Sequence, residues 1–143
     1  MFFGFYEHSL DDKNRLMIPR KMREESGMKV FILKGFDGAL SVYKAVTFEK
    51  MVQDIETLPF NLKNSRDYIR TALASACELD VDKQGRIMIP TLLINKFHIG
   101  KEVVVIGVGD HFEIWNKELY EKYESETSPN FEKIAEEIQV NKE

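Results

Sequence analysis

The sequence predicts an α+β protein that contains two copies of one βαββ-type half. The first observation is a repeated motif: residues 11–19 are D-D-K-N-R-L-M-I-P, and residues 82–90 are D-K-Q-G-R-I-M-I-P. The second is that all four prolines fall into two pairs, 70 or 71 residues apart. The third is that both halves show the same order of strand-like and helix-like apolar patterns. Together, these observations indicate duplication of one structural unit.

Each half begins with a turn and a short strand, and a helix follows. We expect the two short strands at residues 16–18 and 87–89, because the prolines that follow lack the N–H that a strand ladder needs. The helices are predicted at residues 20–25 and 91–97. Gly27 and Gly100 then stand where glycine commonly ends a helix.

Two further strands and a helical region complete each half. Continuous apolar runs at residues 30–33 and 103–106 are typical of buried strands. Alternating patterns around residues 40–42 and 112–114 indicate half-exposed strands. Apolar side chains at helical spacing predict helices over residues 48–58, 68–76 and 131–138. We place the boundary between the halves near residues 61–65, which divides the chain into 1–62 and 63–143.

The charge of the chain is unevenly distributed. The formal net charge is −4, and residues 117–143, with eight Glu and four Lys, supply all of it. Residues 13–34 instead contain seven basic and two acidic side chains. The acidic total therefore does not exclude DNA as a partner, although DNA affinity depends largely on Lys and Arg meeting phosphates.

The repeated D-x-x-x-R motif carries the most specific chemistry in the chain. Asp11 and Asp82 can accept backbone N–H groups and close a turn. Asn14 and Gly85 are residue types that adopt positive φ readily. Each turn would then deliver an arginine, Arg15 or Arg86, to the start of a strand, where the aspartate can orient the guanidinium bidentately. The alternative is a surface Asp–Arg pair that only stabilises the turn.

Several classes of protein lack support in the sequence. No apolar run is long enough for a membrane span, and the N-terminus does not resemble a secretory signal. Cys77 is the single cysteine, which suits a reducing cytosol and excludes an intramolecular disulfide. The three histidines are not at metal-ligand spacing, and no nucleophile or nucleotide-binding motif is present. We therefore expect no enzyme activity, cofactor, metal or small-molecule substrate.

The segments MFFGFYEHSLDDKNRLMIPRKMR and DKQGRIMIPTLL closely resemble the MraZ family of bacterial regulators. More broadly, the chain is similar to the AbrB/SpoVT superfamily. This resemblance implies one swapped-hairpin β-barrel formed by both halves, with flanking helices. It also implies a cytoplasmic, nucleoid-associated transcriptional regulator. Such a regulator would act as a ring-shaped homo-oligomer on repeated double-stranded DNA boxes in the promoter of the division and cell-wall gene cluster, upstream of its own gene. Asn14 departs from the glycine usual in the family.

The resemblance also implies a DNA-binding site formed by residues of both motifs and by Arg20 just after the first. They are Asp11, Lys13, Asn14, Arg15, Arg20, Asp82, Lys83 and Arg86. We expect Arg15 and Arg86 to lie close together because the halves are related by pseudo-two-fold symmetry, and to form one basic face with Lys13 and Lys83. The arginines either contact phosphates or read guanine in the major groove, and Arg20 on the short helix adds phosphate contacts. The N-terminal aromatic residues, Phe2, Phe3, Phe5 and Tyr6, belong either to a subunit interface or to a core strand.

Two other classes of function remain open in the sequence. One is a protein-interaction module, because barrels of this superfamily include antitoxins that neutralise a partner, usually through a disordered tail. The glutamate-rich C-terminus is the candidate tail, although its i, i+3, i+4, i+7 apolar spacing favours a packed helix. The other class is an enzyme, which would need a convergent polar cavity.

Overall fold

The structure is a computed structural model that describes the backbone of residues 1–142 and the side chains of residues 1–139. Glu143, the last residue of the predicted second half, lies outside the described residues. The strands are β1 (Phe2–Ser9), β2 (Arg15–Met17), β3 (Lys29–Lys34), β4 (Leu40–Lys44), β5 (Cys77–Asp80), β6 (Arg86–Met88), β7 (Glu102–Gly109) and β8 (Phe112–Asn116). The helices are α1 (Arg20–Ser26), α2 (Ala45–Glu56), α3 (Lys63–Ala74), α4 (Thr91–Lys96), α5 (Lys117–Thr127) and α6 (Phe131–Lys142), with a 3₁₀ turn at Ser128–Asn130 before α6.

The strands form two antiparallel sheets in which the halves interleave. The larger sheet has the order β1-β7-β8-β4-β3-β5, and the smaller is a ribbon of β2 and β6. If each strand is exchanged for its counterpart in the other half, the six-strand order simply reverses. The two halves are thus related by a pseudo-two-fold axis that passes between β4 and β8 and between β2 and β6. Among the strands of the described residues, only the β3–β4 and β7–β8 hairpins pair within a half.

The core lies between the larger sheet and the ribbon, and both halves fill it. Leu16 and Ile87, which face each other across the ribbon, are completely buried. Phe2 of β1 meets Phe112 of β8 with ring centroids 5.5 Å apart. Because each half leaves its apolar strand faces for the other half to cover, neither has a complete core alone.

Helices cover part of the outer face of the larger sheet. In the first half, Phe48 of α2 stacks on Phe31 of β3, with ring centroids 4.3 Å apart. In the second half, Tyr120 and Tyr123 of α5 pack on Trp115 of β8. The repeat therefore extends to the helices that follow the hairpins. Within the described residues, no helix has the length and apolar character needed to cross a membrane.

Each half contains one strand more than the predicted βαββ unit. The additional strands, β1 and β5, open the two halves and pair with the opposite half, β1 with β7 and β5 with β3. β5 has only four residues. It follows directly after the apolar stripe of α3, so the sequence shows no separate strand pattern there. The fold is α+β, as predicted, with ββαββ halves.

The predicted role of Gly100 at the end of the second short helix is wrong. Helix α4 ends at Lys96, and His98 adopts the left-handed conformation, with a φ of 52°. The Ile99 N–H donates to the Ile94 carbonyl at 2.9 Å, which closes a Schellman motif without glycine. In the first half, Gly27 has a φ of 73° and follows α1 as predicted.

The N-terminal aromatic residues divide between the two alternatives. Strand alternation sends successive side chains to opposite faces of the sheet. Phe2 is therefore buried in the core, and Tyr6 packs against the core with part of its surface exposed. Phe3 and Phe5 are 71% and 50% exposed on the outer face, so these two are the most accessible to an interface.

The C-terminal segment is helical, as its apolar spacing predicts, but it is not packed as expected. Every described side chain of α6 is exposed, including Phe131, Ile134 and Ile138. A single copy of the chain does not cover this stripe.

Candidate nucleic-acid interface

The two Asp–Arg turns have the same internal geometry. Asp11 Oδ1 accepts the N–H groups of Lys13 and Arg15, both at 2.9 Å, and Oδ2 accepts from Arg15 Nε at 2.6 Å. In the second half, Asp82 accepts the N–H groups of Gln84 and Arg86 and the Nε of Arg86. The aspartate thus closes the turn and fixes the arginine at once.

The arginine contact differs in detail from the expected bidentate pair. The described hydrogen bonds use Nε alone on each guanidinium, at 2.6 Å in Arg15 and 2.8 Å in Arg86. The two Nη groups of each arginine are left to donate outward. About a quarter of each side chain is exposed, 27% for Arg15 and 25% for Arg86. Each turn therefore holds one arginine at the surface by its Nε and leaves the two Nη groups free of described hydrogen bonds.

The hydrogen bonds also set the charge of the two aspartates. The Arg15 backbone N–H, followed by the Arg15 side chain, lowers the pKa of Asp11 below its usual value. The pKa of Asp82 is lowered in the same way by the Arg86 backbone N–H and side chain. Both carboxylates are ionised at neutral pH and keep their arginines in place.

The residue before each arginine ties its turn to the opposite half. Asn14 and Gly85 have φ values of 58° and 84°, the left-handed conformation predicted from the sequence. The Asn14 carbonyl accepts from Ile89 N–H, and the Gly85 carbonyl accepts from Ile18 N–H, both at 2.9 Å. Each turn is thus fastened to the end of the other half's ribbon strand.

The ribbon brings the two arginines to one surface. Arg15 pairs with Met88 and Arg86 with Met17, while Leu16 and Ile87 point into the core. Alternation places all four paired side chains on the outer face. Arg15 and Arg86 are diagonal neighbours, a relation with a typical separation of about 7–8 Å. The expected proximity of the arginines thus follows from the cross-half pairing.

The other predicted site residues lie at different places around this ribbon. Lys13 and Lys83 are exposed in their turns, at different positions of the two motifs. Arg20 is exposed at the first position of α1, directly after Pro19. We call the outer surface of the ribbon, which carries Arg15 and Arg86, together with the exposed cations next to it in the chain, Lys13, Lys83 and Arg20, the ribbon face.

Sequence reasoning missed two contributions to this site. Met17 and Met88 stand across the ribbon from Arg86 and Arg15 on the same outer face, which their position in an apolar strand did not reveal. Arg23 of α1 donates through Nε to the Ile18 carbonyl at 2.9 Å and lies directly over Gly85. A Cβ on Gly85 would stand 2.7 Å from both Cδ and Nε of Arg23. This crowding gives a physical reason for glycine in the second motif.

Enzyme-like features are sparse in the described part of the chain. No three His, Cys, Asp or Glu side chains there converge as a metal site would require. The cavity between α2 and α3, about 350 Å³, is lined mainly by apolar residues. Burial, and then the positive charge of Arg23, lower the pKa of His8, which lies half-buried on β1.

Comparison with known proteins gives one consistent result. The model of one protein family, described as "MraZ protein, putative antitoxin-like", matches residues 1–71 and again residues 72–142. The chain is 44% identical over 138 residues to the transcriptional regulator MraZ of Caldanaerobacter subterraneus subsp. tengcongensis, covering 96% of each chain. It is 41% identical to the transcriptional regulator MraZ of Lactiplantibacillus plantarum, over 96% of this chain and 98% of that protein.

Proposed function

Because the chain belongs to the MraZ family, whose relatives are named transcriptional regulators, we propose that it is a regulator that binds specific double-stranded DNA sequences through its ribbon face. The observation that carries this proposal is the pair of arginines on one side of the two-stranded ribbon. Each is held by its own aspartate through Nε, and each keeps its Nη groups for a ligand.

The chemistry of the ribbon face suits the major groove of DNA. A two-stranded antiparallel ribbon fits the groove, and arginine can donate bidentately to O6 and N7 of guanine. One good bidentate contact discriminates against the wrong base by about 1–3 kcal/mol. We assign this role to Arg15 and Arg86, and assign the orientation of both to Asp11 and Asp82.

Phosphate contacts would come from the cations around the two arginines. Lys13, Lys83 and Arg20 are exposed and have the charge that the DNA backbone requires. Asn14 holds the first turn through its backbone carbonyl, which accepts from Ile89 N–H, and we keep its side-chain amide among the groups that contact DNA.

A single ribbon face offers few contacts, so we propose that several copies act together. A ring-shaped homo-oligomer would present the face repeatedly, and repeated promoter boxes would engage several copies at once. Linked binding raises avidity by about 10²–10⁴-fold without any new type of contact. We place these boxes upstream of the protein's own gene, in the division and cell-wall gene cluster, and the protein in the cytoplasm at the nucleoid.

The interleaved topology supports two structural proposals. Hairpins β3–β4 and β7–β8 each pair on both sides with strands of the opposite half, the arrangement that a swapped-hairpin barrel needs. We also keep the division at 1–62 and 63–143, which assigns α3 to the link that leads into β5.

The test is a fluorescence-anisotropy titration of a promoter fragment with the wild-type chain, Arg15→Ala and Arg86→Ala at one fixed salt concentration. At one box, each variant should lose about 5–150-fold in affinity, which corresponds to the free energy of about 1–3 kcal/mol for one bidentate contact. Lys50→Ala removes one exposed cation from α2, away from the ribbon, and should leave affinity within about twofold.

Two further measurements complete the titration. Light scattering should show the same assembly for all four proteins, which separates a lost contact from a lost oligomer. The slope of log affinity against log salt should fall in Arg15→Ala or Arg86→Ala only if the arginine that is lost contacts a phosphate. Unchanged affinity in both arginine variants, or a footprint with no protected repeats upstream of the gene, would refute the proposed site.

A further inference from the structure

The helices that follow the two ribbon strands differ at one position close to the Asp–Arg turns. Helices α1 and α4 are counterparts, since each begins directly after the proline of its motif. The offset of 71 residues that separates Pro19 from Pro90 therefore applies to the helices as well. It places Arg23 of α1 opposite Ile94 of α4. An arginine side chain donates hydrogen bonds and an isoleucine side chain cannot, so the two halves support their ribbons differently.

Arg23 reaches from the first half of the chain to the second Asp–Arg turn. Its Nε donates to the carbonyl of Ile18 at 2.9 Å, and the N–H of Ile18 donates to the carbonyl of Gly85, also at 2.9 Å. Gly85 is buried, and Arg23 takes the space in which a Cβ would stand, 2.7 Å from its Cδ and Nε and 3.2 Å from its Cζ. Arg23 and Ile18 thus hold the residue that directly precedes Arg86.

The first turn has an apolar residue in place of this arginine. Asn14, the counterpart of Gly85, carries a Cβ and is partly exposed. Its carbonyl accepts from the N–H of Ile89, which matches the bond in the other half. Ile94 packs against the core and has no side-chain donor for the ribbon. The path of the chain into Arg15 is therefore set by its own turn and the ribbon, whereas the path into Arg86 also depends on α1.

We propose that Arg23 is a positioning residue for DNA binding, which fixes the second turn so that Arg86 meets its DNA partner in one geometry. It has no such effect on Arg15. Binding groups must be held within about 0.5 Å and 10–20° of the productive geometry, which requires support from neighbouring side chains. This inference rests on the proposed function of the ribbon face and makes its two arginines unequal.

The competing role for Arg23 is a direct phosphate contact through its charge. Glutamine separates the two roles, because its amide nitrogen stands the same number of bonds from Cα as the Nε of arginine. Arg23→Gln can keep the donor to Ile18 and the cover over Gly85, but it loses the positive charge and the Nη groups. Glutamine should therefore replace an arginine that acts by position and should fail to replace one that acts by charge.

The test is a fluorescence-anisotropy titration of a promoter fragment that carries one box, at one fixed salt concentration. Arg23→Ala should lose at least about fivefold in affinity and no more than Arg86→Ala, whose contact corresponds to about 5–150-fold. Arg23→Gln should regain most of the affinity that Arg23→Ala loses. The slope of log affinity against log salt should match the wild-type slope in Arg23→Gln, whereas loss of a direct phosphate contact would lower it by about 0.9.

Arg66→Ala is the matched control for the loss of an arginine. Arg66 is also partly buried, and it also donates to a backbone carbonyl, that of Phe60 at 3.2 Å. It lies on α3, which packs against β3 of the larger sheet rather than on the ribbon. Its removal should change the affinity by less than about twofold, because salt screens charges that lie beyond a Debye length.

A double-mutant cycle shows which arginine Arg23 serves. In an Arg86→Ala background, Arg23→Ala should cost less than about twofold, because the contact that it positions is already lost. In an Arg15→Ala background, it should cost the same factor as in the wild-type chain. A variant that is only unstable would lose affinity equally in both backgrounds. Light scattering and the urea midpoint of the same samples report their assembly and folding.

The outcomes separate this inference from the proposed function. An affinity of Arg23→Ala within about twofold of wild type, or an equal loss in both backgrounds, would overturn the positioning role and leave DNA binding by Arg15 and Arg86 standing. An Arg23→Gln as weak as Arg23→Ala would overturn it too, in favour of a direct contact. Unchanged affinity in both Arg15→Ala and Arg86→Ala would overturn the proposed function itself.

Discussion

Replacing Gly85 with alanine should destabilise the protein far more than changing its repeat counterpart, Asn14. Gly85 has a φ of 84°, and Arg23 lies over the space that a Cβ would fill. The new methyl group would force Cδ and Nε of Arg23 away and break the hydrogen bond from Nε to the Ile18 carbonyl. The change therefore combines backbone strain with a lost contact.

The expected cost follows from these two effects. A left-handed backbone costs a residue with a Cβ about 1–2 kcal/mol. A hydrogen bond from a charged group contributes about 1.5–3 kcal/mol. The unfolded chain loses entropy when alanine replaces glycine, which offsets about 0.4–1 kcal/mol. The net loss for Gly85→Ala is about 1.5–4.5 kcal/mol, a large part of a typical stability of about 5–15 kcal/mol.

The assay is urea denaturation at one fixed protomer concentration, because association shifts apparent stability. Asn14→Gly is the matched control and should stay within about 1 kcal/mol of the wild-type chain, because glycine also accepts positive φ. In an Arg23→Ala background, Gly85→Ala should cost only the backbone strain, so the two changes should couple by about 1.5–3 kcal/mol. A loss below about 1 kcal/mol for Gly85→Ala, or strict additivity with Arg23→Ala, would show that the contact between Arg23 and residue 85 does not set this cost.

Two further predictions concern titrating groups. Hydrogen bonds from Lys44 and the N-terminus lower the pKa of Glu25 to about 2, so its stabilising contribution is complete above about pH 4.5 and is lost as pH falls through 2. The gap in urea midpoint between the wild-type chain and Glu25→Gln should therefore shrink between pH 5 and pH 2.5, and a constant gap would contradict the assignment. For His8, an NMR titration should give a midpoint below 6.5 that rises in Arg23→Ala but stays below 6.5, because burial, the larger cause, remains. An unchanged midpoint would show that Arg23 does not act on this histidine.

The local features of the site were readable in the sequence because they depend on nearby residues. An aspartate four positions before an arginine, with a left-handed residue between them, specifies the turn almost alone. The hydrogen bonds of Asp11 and Asp82 match this expectation, apart from the single Nε contact. The short ribbon strands begin one residue earlier than predicted, at Arg15 and Arg86.

Features that depend on the other half of the chain were harder to predict. Strand β5 is too short to show a period, and it exists because β3 offers it an edge. His98 takes the left-handed conformation after α4 although it is not glycine, and Asn116 at the end of β8 donates to its carbonyl at 2.8 Å. Phe3 and Phe5 share a strand with buried Phe2, and only the sheet decides which side faces water.

The sequence alone was enough to predict a duplicated α+β protein that resembles the MraZ family, with one Asp–Arg turn in each half. Those properties depend on the spacing of nearby residues and on the internal repeat. The tertiary structure places Arg15 and Arg86 on one face of the ribbon and Arg23 over Gly85. It also leaves the apolar side chains of α6 exposed, while α3 packs on the sheet. These features arise because each half completes its strand pairing and its core with the other half. Contacts between residues that are distant in the chain produce no local sequence pattern from which they could be predicted.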